Sequence, residues 1–224
     1  MGGEVTLIGV ATSDSGSATV TLTQDAPGQL GGVMSNKRID LSEDFNIAFS
    51  VYLGDEDGGA DGLAFVLHND PVGSDAIGAG GGFLGAAGLA NGLALEFDTW
   101  QNDGAFADIA NDHVGWIDTD TAGAPANLVA SLDVGNIEDD AWHAVQVSLN
   151  AATETLSYSV DGVQGQSIAG DIIDTYFGGL DFVTFGFTAA TGGASNLQQV
   201  QTLGLEATFD DGTSTTVGSE FLQA

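Results

Sequence analysis

The sequence predicts an all-β protein in which two antiparallel sheets pack face to face as a β-sandwich. Three observations support this prediction: apolar residues alternate with polar or small residues at a period of two, glycines and aspartates separate the short runs, and no segment keeps a helical period. The chain has 224 residues, of which 34 are glycine. That length suits one all-β domain, which commonly spans about 200–250 residues.

Four runs carry the alternation most clearly, and each is predicted to be a half-buried strand. They are residues 45–53, 145–149, 156–160 and 183–187, in which every second residue is apolar or aromatic. One helical turn is expected near residues 172–177. The apolar faces of the strands need burial against each other, which predicts two packed sheets.

The charge balance is extreme, with 32 acidic residues against Lys37 and Arg38 and a formal net charge of −30. This field disfavours nucleic acids and anionic lipids, which bind through cationic side chains, and it favours divalent cations. Membrane insertion is not expected either, because the uncharged stretch 76–95 contains seven glycines and Asn91. The chain has no cysteine, which excludes disulfides and thiolate metal sites.

The stretch from Glu96 to His113 holds a dense cluster of potential metal ligands. In GLALEFDTW, Glu96 and Asp98 leave the same face of one strand, Asp108 follows in the loop, and His113 opens a second strand. Asp98, Asn102, Asp108 and a main-chain carbonyl would suit Ca²⁺. Glu96, Asp98, Asp108 and His113 would suit Mn²⁺ or a similar transition ion. The alternative is an acidic loop that is merely solvated.

Four sequence motifs together resemble the legume-type (L-type) lectins, which have the concanavalin A-like jelly-roll fold. EFDTWQN, then Asp108 and HVG, is similar to the two-metal loop of that family. ADGLAF at 60–65, GGGFLG at 80–85 and FTAATG at 187–192 are similar to three further family motifs, in the same order. NKRIDLSEDFNIAF and DDAWHAVQVSL are similar to the bacterial branch, which includes adhesins.

The resemblance implies two metal sites. A calcium ion would be held by Asp98, the main-chain carbonyl of Trp100, Asn102 and Asp108. A second, manganese-like ion would be held by Glu96, Asp98, Asp108 and His113.

The resemblance also implies a carbohydrate site built by four loops. Asp61 would accept hydrogen bonds from two sugar hydroxyls, and the peptide bond before it is expected to be cis. Gly82 would offer a backbone N–H where a side chain would block the sugar. Trp100 would stack on the apolar face of the sugar, and Asn102 would donate its amide hydrogen. The variable wall would be lined by Gly193 and Ala194.

The resemblance covers residues 5–209, which are predicted to form the lectin-like domain. Residues 1–4 are expected to be left by cloning or to belong to a linker, and residues 210–224 to be a polar tail or linker. No secretory signal is visible at the start of the chain, so a domain from a longer chain is expected.

These features predict a calcium-dependent carbohydrate-binding module of a larger secreted bacterial adhesin. It would lie outside the cell or at the cell surface, bind glycans on host or neighbouring cells in adhesion or biofilms, and adjoin other domains of the same chain. One alternative is a structural spacer without sugar binding. Another is a glycoside hydrolase on the same fold, but Gln101 follows Trp100 where such enzymes carry the proton-donating glutamate. An enzyme is therefore not expected.

Overall fold

The computed structural model describes residues 5–13, 18–102, 104–121 and 123–217. Its strands form two sheets, and every strand pair among these residues is antiparallel. The all-β antiparallel sandwich is therefore confirmed.

The acidic cluster, which consists of Glu96, Asp98, Asp108 and His113, lies at one end of the first sheet. Its strands are β1 (Val5–Gly9), β4 (Leu30–Ser35), β5 (Ile39–Asp40), β7 (Gly62–His68), β8 (Gly92–Asp98), β9 (Asp112–Asp118), β10 (Leu132–Gly135) and β15 (Phe182–Ala190). They lie in the order β1-β4-β15-β7-β8-β9-β10, and β5 pairs with β15.

The second sheet covers the inner face of the first. Its strands are β2 (Thr12–Ser13), β3 (Thr19–Thr23), β6 (Phe45–Tyr52), β11 (Trp142–Asn150), β12 (Thr155–Val160), β13 (Val163–Gln164), β14 (Ile168–Ala169), β16 (Gln198–Thr208) and β17 (Ser214–Val217). They lie in the order β13-β12-β11-β6-β16-β3-β2, with β14 beside β12 and β17 beside β16.

In the part of the chain that the structure describes, helical structure is limited to short segments. The helical turn predicted near residues 172–177 is confirmed as helix α1, Ile172–Tyr176. Short 3₁₀ turns lie at Gly73–Asp75, Gly81–Phe83 and Ala151–Thr153. Among the described residues, no helix is long and apolar enough to cross a membrane.

The core lies between the two sheets and contains a cluster of phenylalanine rings. Phe49 on β6 lies 4.8 Å from Phe187 and 5.6 Å from Phe65, measured between ring centroids. Phe97 on β8 contacts the Phe49 ring edge-on, with 6.3 Å between the ring centroids. Because Phe97 faces inward, its neighbours Glu96 and Asp98 leave the opposite face of β8, as the alternation predicted.

The two basic side chains anchor the segment that follows β16. Lys37 Nζ lies 3.1 Å from Asp211 Oδ2, and Arg38 Nε lies 3.0 Å from Asp210 Oδ2. Beyond this turn, β17 pairs with residues 205–208 of β16. The segment predicted as a tail or linker thus includes a paired strand, while residues 1–4 and 218–224 lie outside the described residues. The domain limits stay a prediction.

Candidate functional site

Strand register brings the acidic cluster together at one edge of the first sheet. Gly62 pairs with Asp98, and Asp98 pairs with His113, so the start of β7, the end of β8 and the start of β9 are adjacent. One ligand atom from each of Asp98, Asp108 and His113 lies within 4.8 Å of the others. The Nε2 atom of His113 lies 3.7 Å from Glu96 Oε1. All four residues predicted for the second metal are therefore close neighbours.

Burial and mutual repulsion raise the carboxyl pKa values in this cluster. Burial, and then the charge of Glu96, raise the pKa of Asp98 to about 8. Burial also raises the pKa values of Glu96 and Asp108. Burial alone would lower the pKa of His113, but the three carboxylates more than offset it, and the net shift is upward. The cluster therefore favours added positive charge, whether protons or a metal ion.

The donor set fits a divalent cation. The Nε2 atom of His113 is buried and has no hydrogen-bond partner among the described residues. A buried imidazole nitrogen without a partner is costly unless it is ligated or hydrogen-bonded. Carboxylates with one imidazole suit a transition ion, and the oxygen atoms of Asp98 and Asp108 suit calcium.

Hydrogen bonds fold the loop after β8 back over the cluster. The Trp100 N–H donates to Asp98 Oδ1 at 2.8 Å, and the Asn102 N–H donates to Asp108 Oδ2 at 2.8 Å. The Asn102 Nδ2 donates to the Trp100 carbonyl at 2.9 Å. Calcium ligation by both residues would need the Asn102 amide rotated by half a turn, because an amide nitrogen is a donor and Oδ1 is the acceptor.

Asp61 occupies a buried position beside the metal loop. The peptide bond between Ala60 and Asp61 is cis, as predicted. Asp61 is 5% exposed, and its Oδ2 has no hydrogen-bond partner among the described residues. Burial raises its carboxyl pKa to about 6. Its carbonyl accepts the Thr99 N–H at 3.2 Å, which ties the Asp61 loop to the end of β8.

The glycine loop, residues 80–85, contacts the loop after β8 at Asn102. A Cβ added to Gly82 would lie 2.9 Å from Asn102 Nδ2, so a side chain at this position would push on the amide. The rings of Phe83 and Phe106 pack against each other at 5.4 Å. The structure therefore places the predicted donors Gly82 and Asn102 side by side.

The variable wall lies next to Asp61. A Cβ added to Gly192 would lie 3.0 Å from Asp61 Oδ2, whereas one added to Gly193 would meet nothing within 4 Å. Gly193 is exposed and Ala194 is partly exposed. Trp100 is 41% exposed, which leaves its ring available to a ligand. These placements agree with the predicted sugar contacts, whose roles stay predictions.

Sequence reasoning missed Asn127. Its Nδ2 donates to Glu96 Oε1 at 3.0 Å, and its side chain lies over Gly115, the residue paired with Glu96. A glycine inside a strand often marks a close approach by another group. Gly115 was therefore a usable signal, although it could not name the partner.

Sequence reasoning also missed Glu138, a buried acid that joins several site loops. The Asn196 Nδ2 donates to Glu138 Oε1 at 2.6 Å and to the Glu56 carbonyl at 3.0 Å. Burial raises the pKa of Glu138 to about 7, although its hydrogen bond with Asn196 opposes the shift. Asn196, in the loop after β15, is therefore bound both to Glu138 and to the loop that precedes Asp61.

Comparisons with known protein sequences point in one direction. A family model described as the legume lectin beta-barrel domain matches residues 2–203. The chain is 30% identical over 221 residues to a serine-rich adhesin for platelets from Staphylococcus aureus, covering 88% of this chain and 10% of that protein. It is 25% identical over 230 residues to the pesticidal crystal protein Cry22Aa of Bacillus thuringiensis, covering 90% of this chain and 32% of that protein. The chain thus spans a tenth to a third of these relatives.

Solved structures agree on the fold. Basic winged bean lectin with Tn-antigen aligns with a TM-score of 0.70 at 21% identity, covering 89% of this chain and 90% of that one. Lectin II from Ulex europaeus aligns with a TM-score of 0.71 at 18% identity, with the same coverage of both chains.

Proposed function

The chain belongs to the legume lectin family, and from this premise we propose that it is a calcium-dependent carbohydrate-binding module of a larger bacterial adhesin. The observation that supports this most directly is the position of Asn102. Its backbone N–H binds Asp108 in the acidic cluster, while its side chain lies against Gly82. One loop thus joins the candidate metal site to the candidate sugar site.

A cation would supply rigidity here rather than chemistry. A neutral sugar offers hydroxyls and weakly apolar C–H faces, so its recognition needs a fixed carboxylate, an amide donor and an aromatic plate. Asp61, Asn102 and Trp100 supply these groups. Asp98 and Asp108, together with Asn102 and the Trp100 carbonyl, would hold calcium, and Glu96 and His113 would complete a second site. Fixing the loop before the sugar arrives lowers the ordering cost of binding.

The relatives suggest where the module acts. The staphylococcal relative is an adhesin, and the chain covers a small part of it. We infer that the module is displayed outside the cell or at its surface beside other domains, where it binds glycans on host or neighbouring cells. Its acidic surface gives it no electrostatic attraction to nucleic acids. Gln101 stands where hydrolases on this fold carry an acid, so binding without catalysis is proposed.

A glycan array probed with and without calcium tests the proposal. The wild-type domain and an Asp61→Ala variant are compared in millimolar Ca²⁺ and in EDTA. Asp181→Ala is the matched control, because Asp181 is also an acid but is exposed. It directly precedes Phe182, at the end of β15 that lies far from the site. Wild type and control should bind in calcium only. Asp61→Ala should bind at least about thirtyfold more weakly, since hydrogen bonds to a charged group contribute about 1.5–3 kcal/mol each.

Thermal unfolding of the same variants identifies the cause of any loss. Asp61→Ala should keep the calcium-induced rise in unfolding temperature, because Asp61 is not a proposed ligand. Unchanged glycan affinity in this variant would place the sugar site elsewhere. A blank array from folded, calcium-loaded wild type would favour a spacer without sugar binding.

A further inference from the structure

We propose that Asn196 and Gln198 are positioning residues of the candidate sugar site: their two buried amides hold the Asp61 loop, residues 54–61, in the geometry that presents the Asp61 carboxylate. The inference rests on the proposed function, in which Asp61 accepts hydrogen bonds from the sugar. Asn196 precedes β16, and Gln198 is the first residue of that strand. Each residue is 1% exposed, so neither is placed to contact a sugar itself.

Gln198 fixes the peptide unit that leads into Asp61. The Gln198 Nε2 donates to the Ala60 carbonyl at 3.1 Å and to the Ala190 carbonyl at 3.0 Å. The Asp61 N–H donates to the same Ala190 carbonyl at 3.1 Å. One side-chain amide therefore joins the peptide unit before Asp61 to the end of β15, and both hydrogens of that amide are used.

Asn196 fixes the earlier part of the same loop. Its Nδ2 donates to the Glu56 carbonyl at 3.0 Å and to Glu138 Oε1 at 2.6 Å. The loop backbone lies directly against this amide, because a Cβ added to Gly54 or Gly59 would overlap it. A side chain at either glycine would therefore displace the loop or the amide.

The surroundings determine which way each amide points. The Gln198 Nε2 faces two carbonyl oxygens, and the Asn196 Nδ2 faces one carbonyl and one carboxylate oxygen. An amide oxygen turned toward these acceptors would be repelled and could form no hydrogen bond with them. Both residues are buried, whereas Leu197 between them is partly exposed. The two amides therefore point into the molecule and support the loop together.

The position of the Asp61 carboxylate depends on this support. Its Oδ2 has no hydrogen-bond partner among the described residues, so the loop backbone sets where that oxygen lies. A binding group has to be held within about 0.5 Å of its productive position. Loss of either amide should therefore weaken sugar binding through Asp61, although no contact with the sugar is removed.

The Gln198→Met variant tests the support at Ala60. Methionine has a similar volume but donates no hydrogen bond. Wild type and variant are titrated calorimetrically in millimolar Ca²⁺ with the methyl glycosides of galactose, glucose and mannose, at a temperature at which circular dichroism shows both to be folded. The variant should bind the preferred glycoside at least about tenfold more weakly. Its Ca²⁺ affinity should stay within about threefold of wild type, because neither amide hydrogen-bonds a proposed metal ligand among the described residues.

Leu205→Ala is the matched control for lost stability. Leu205 is 1% exposed and lies on the same strand as Gln198, about 20 Å further along it. Its truncation leaves a cavity in the core, so this variant should unfold at a lower temperature than wild type. It should nevertheless bind the glycoside as tightly as wild type does.

An exchange of groups between Asn196 and Glu138 tests the second support. Asn196→Asp replaces the amide donor by a carboxylate that faces Glu138, and this variant should bind the glycoside at least about tenfold more weakly. Adding Glu138→Gln returns a donor to the pair and removes one buried charge. The double variant should regain at least about threefold in affinity, and the recovery should be partial because the Glu56 carbonyl still lacks its donor.

The outcomes separate this proposal from the proposed function. Wild-type glycoside affinity in folded Gln198→Met, or an equal loss in Leu205→Ala, would overturn the positioning role and leave the lectin intact. A double variant no better than Asn196→Asp would overturn the role of Asn196, and this exchange decides alone if Gln198→Met does not fold. Absence of binding to every glycoside by folded, calcium-loaded wild type would refute the proposed function and the positioning role together.

Discussion

Asp98 is a proposed calcium ligand, and its burial in the acidic cluster carries an energetic cost when no cation is bound. It is 2% exposed, and burial together with the charge of Glu96 raises its pKa to about 8. Without a cation, the folded chain at neutral pH must protonate this group or hold it charged at a cost. The ligands that would bind calcium therefore destabilise the metal-free protein.

The Asp98→Asn substitution should make the protein more stable than wild type without calcium and less stable than wild type with calcium. Asparagine keeps an oxygen that can accept the Trp100 N–H, but it removes the buried charge. In EDTA the variant should be more stable than wild type by about 1–2 kcal/mol, or roughly 2–8 °C in unfolding temperature. In calcium at a hundredfold excess over the dissociation constant, wild type should gain about 2.7 kcal/mol, and the variant should gain little.

Thermal unfolding in EDTA and in calcium measures both effects, with Asp181→Asn as the control for loss of one surface charge. If Asp98→Asn is less stable than wild type in EDTA as well, the carboxylate is not strained by its surroundings.

His68 makes stability depend on pH at a position away from the site. It is fully buried, and burial lowers its pKa from 6.5 to about 4. Below pH 6.5 the unfolded chain binds a proton that the folded chain resists, so stability should fall as pH drops toward 4. His68→Asn, in which an oxygen can replace Nδ1 as acceptor for the Asp70 N–H, should remove about 2 kcal/mol of the loss between pH 7 and pH 5.

Urea unfolding of both proteins at pH 7, 6 and 5 in EDTA measures that difference. The other titrating acids contribute equally to the pH dependence of stability in both proteins, so their contributions cancel in the comparison. Parallel pH profiles would mean that His68 does not resist protonation.

At the scale of elements, the pairing of β8 with β9 sets the shape of the metal site. The residue opposite Glu96 is Gly115, and the missing side chain leaves room for Asn127. The Asn127 amide then fixes Glu96 Oε1 at 3.0 Å. A strand pair thus orients one candidate ligand through a residue 31 positions away in sequence.

Gly115→Ala should expel Asn127 and release Glu96. The added Cβ would lie 1.5 Å from Asn127 Oδ1, which no adjustment short of moving Asn127 can relieve. Overpacking and a lost hydrogen bond to a carboxylate should together cost about 2–3 kcal/mol. The second metal, assayed with Mn²⁺ by calorimetry, should bind at least tenfold more weakly.

Gly58→Ala is the matched control, because a Cβ there meets nothing within 4 Å, and it should leave both properties unchanged. Wild-type Mn²⁺ affinity in Gly115→Ala would show that Asn127 does not orient Glu96.

The elements also show what sequence could and could not predict. The strands near residues 45–53 and 183–187 were predictable because alternation at a period of two is a local signal. The cluster from Glu96 to His113 was predictable for the same reason, since one strand–loop–strand unit contains it. The roles of Asn127 and Glu138 could not be predicted, because each depends on contacts between segments that are distant in the chain. The pairing of Ser214–Val217 was missed because a short polar strand lacks an apolar face.

At the scale of the whole molecule, charge repulsion opposes folding. The net charge is −30, and both basic residues are already paired with acids of the C-terminal turn. Repulsion among the other carboxylates is long-ranged in dilute salt, and the screening length falls from about 30 Å at 0.01 M to about 10 Å at 0.1 M. Compaction of this chain is therefore easier in salt.

Raising NaCl from 0.01 M to 0.5 M in EDTA should increase the unfolding temperature by several degrees, measured by calorimetry at pH 7.5. The gain should shrink as pH is lowered toward the isoelectric point of about 4.1, because fewer carboxylates remain charged. An unfolding temperature independent of salt at pH 7.5 would mean that surface repulsion is already balanced.

The pairing of Lys37 and Arg38 with the C-terminal turn has a consequence for handling the protein. Lys37 lies over the ring of Phe209, and Arg38 lies over Phe182, at the end of β15 opposite Asp61. The nine residues of that strand separate the two ends by about 27 Å. Trypsin can cut this chain only after Lys37 and after Arg38. Lys37 is also the one side-chain amine with which an amine-reactive reagent can react. Coupling through Lys37 would therefore attach the module to a sensor chip with its candidate glycan site directed away from the chip.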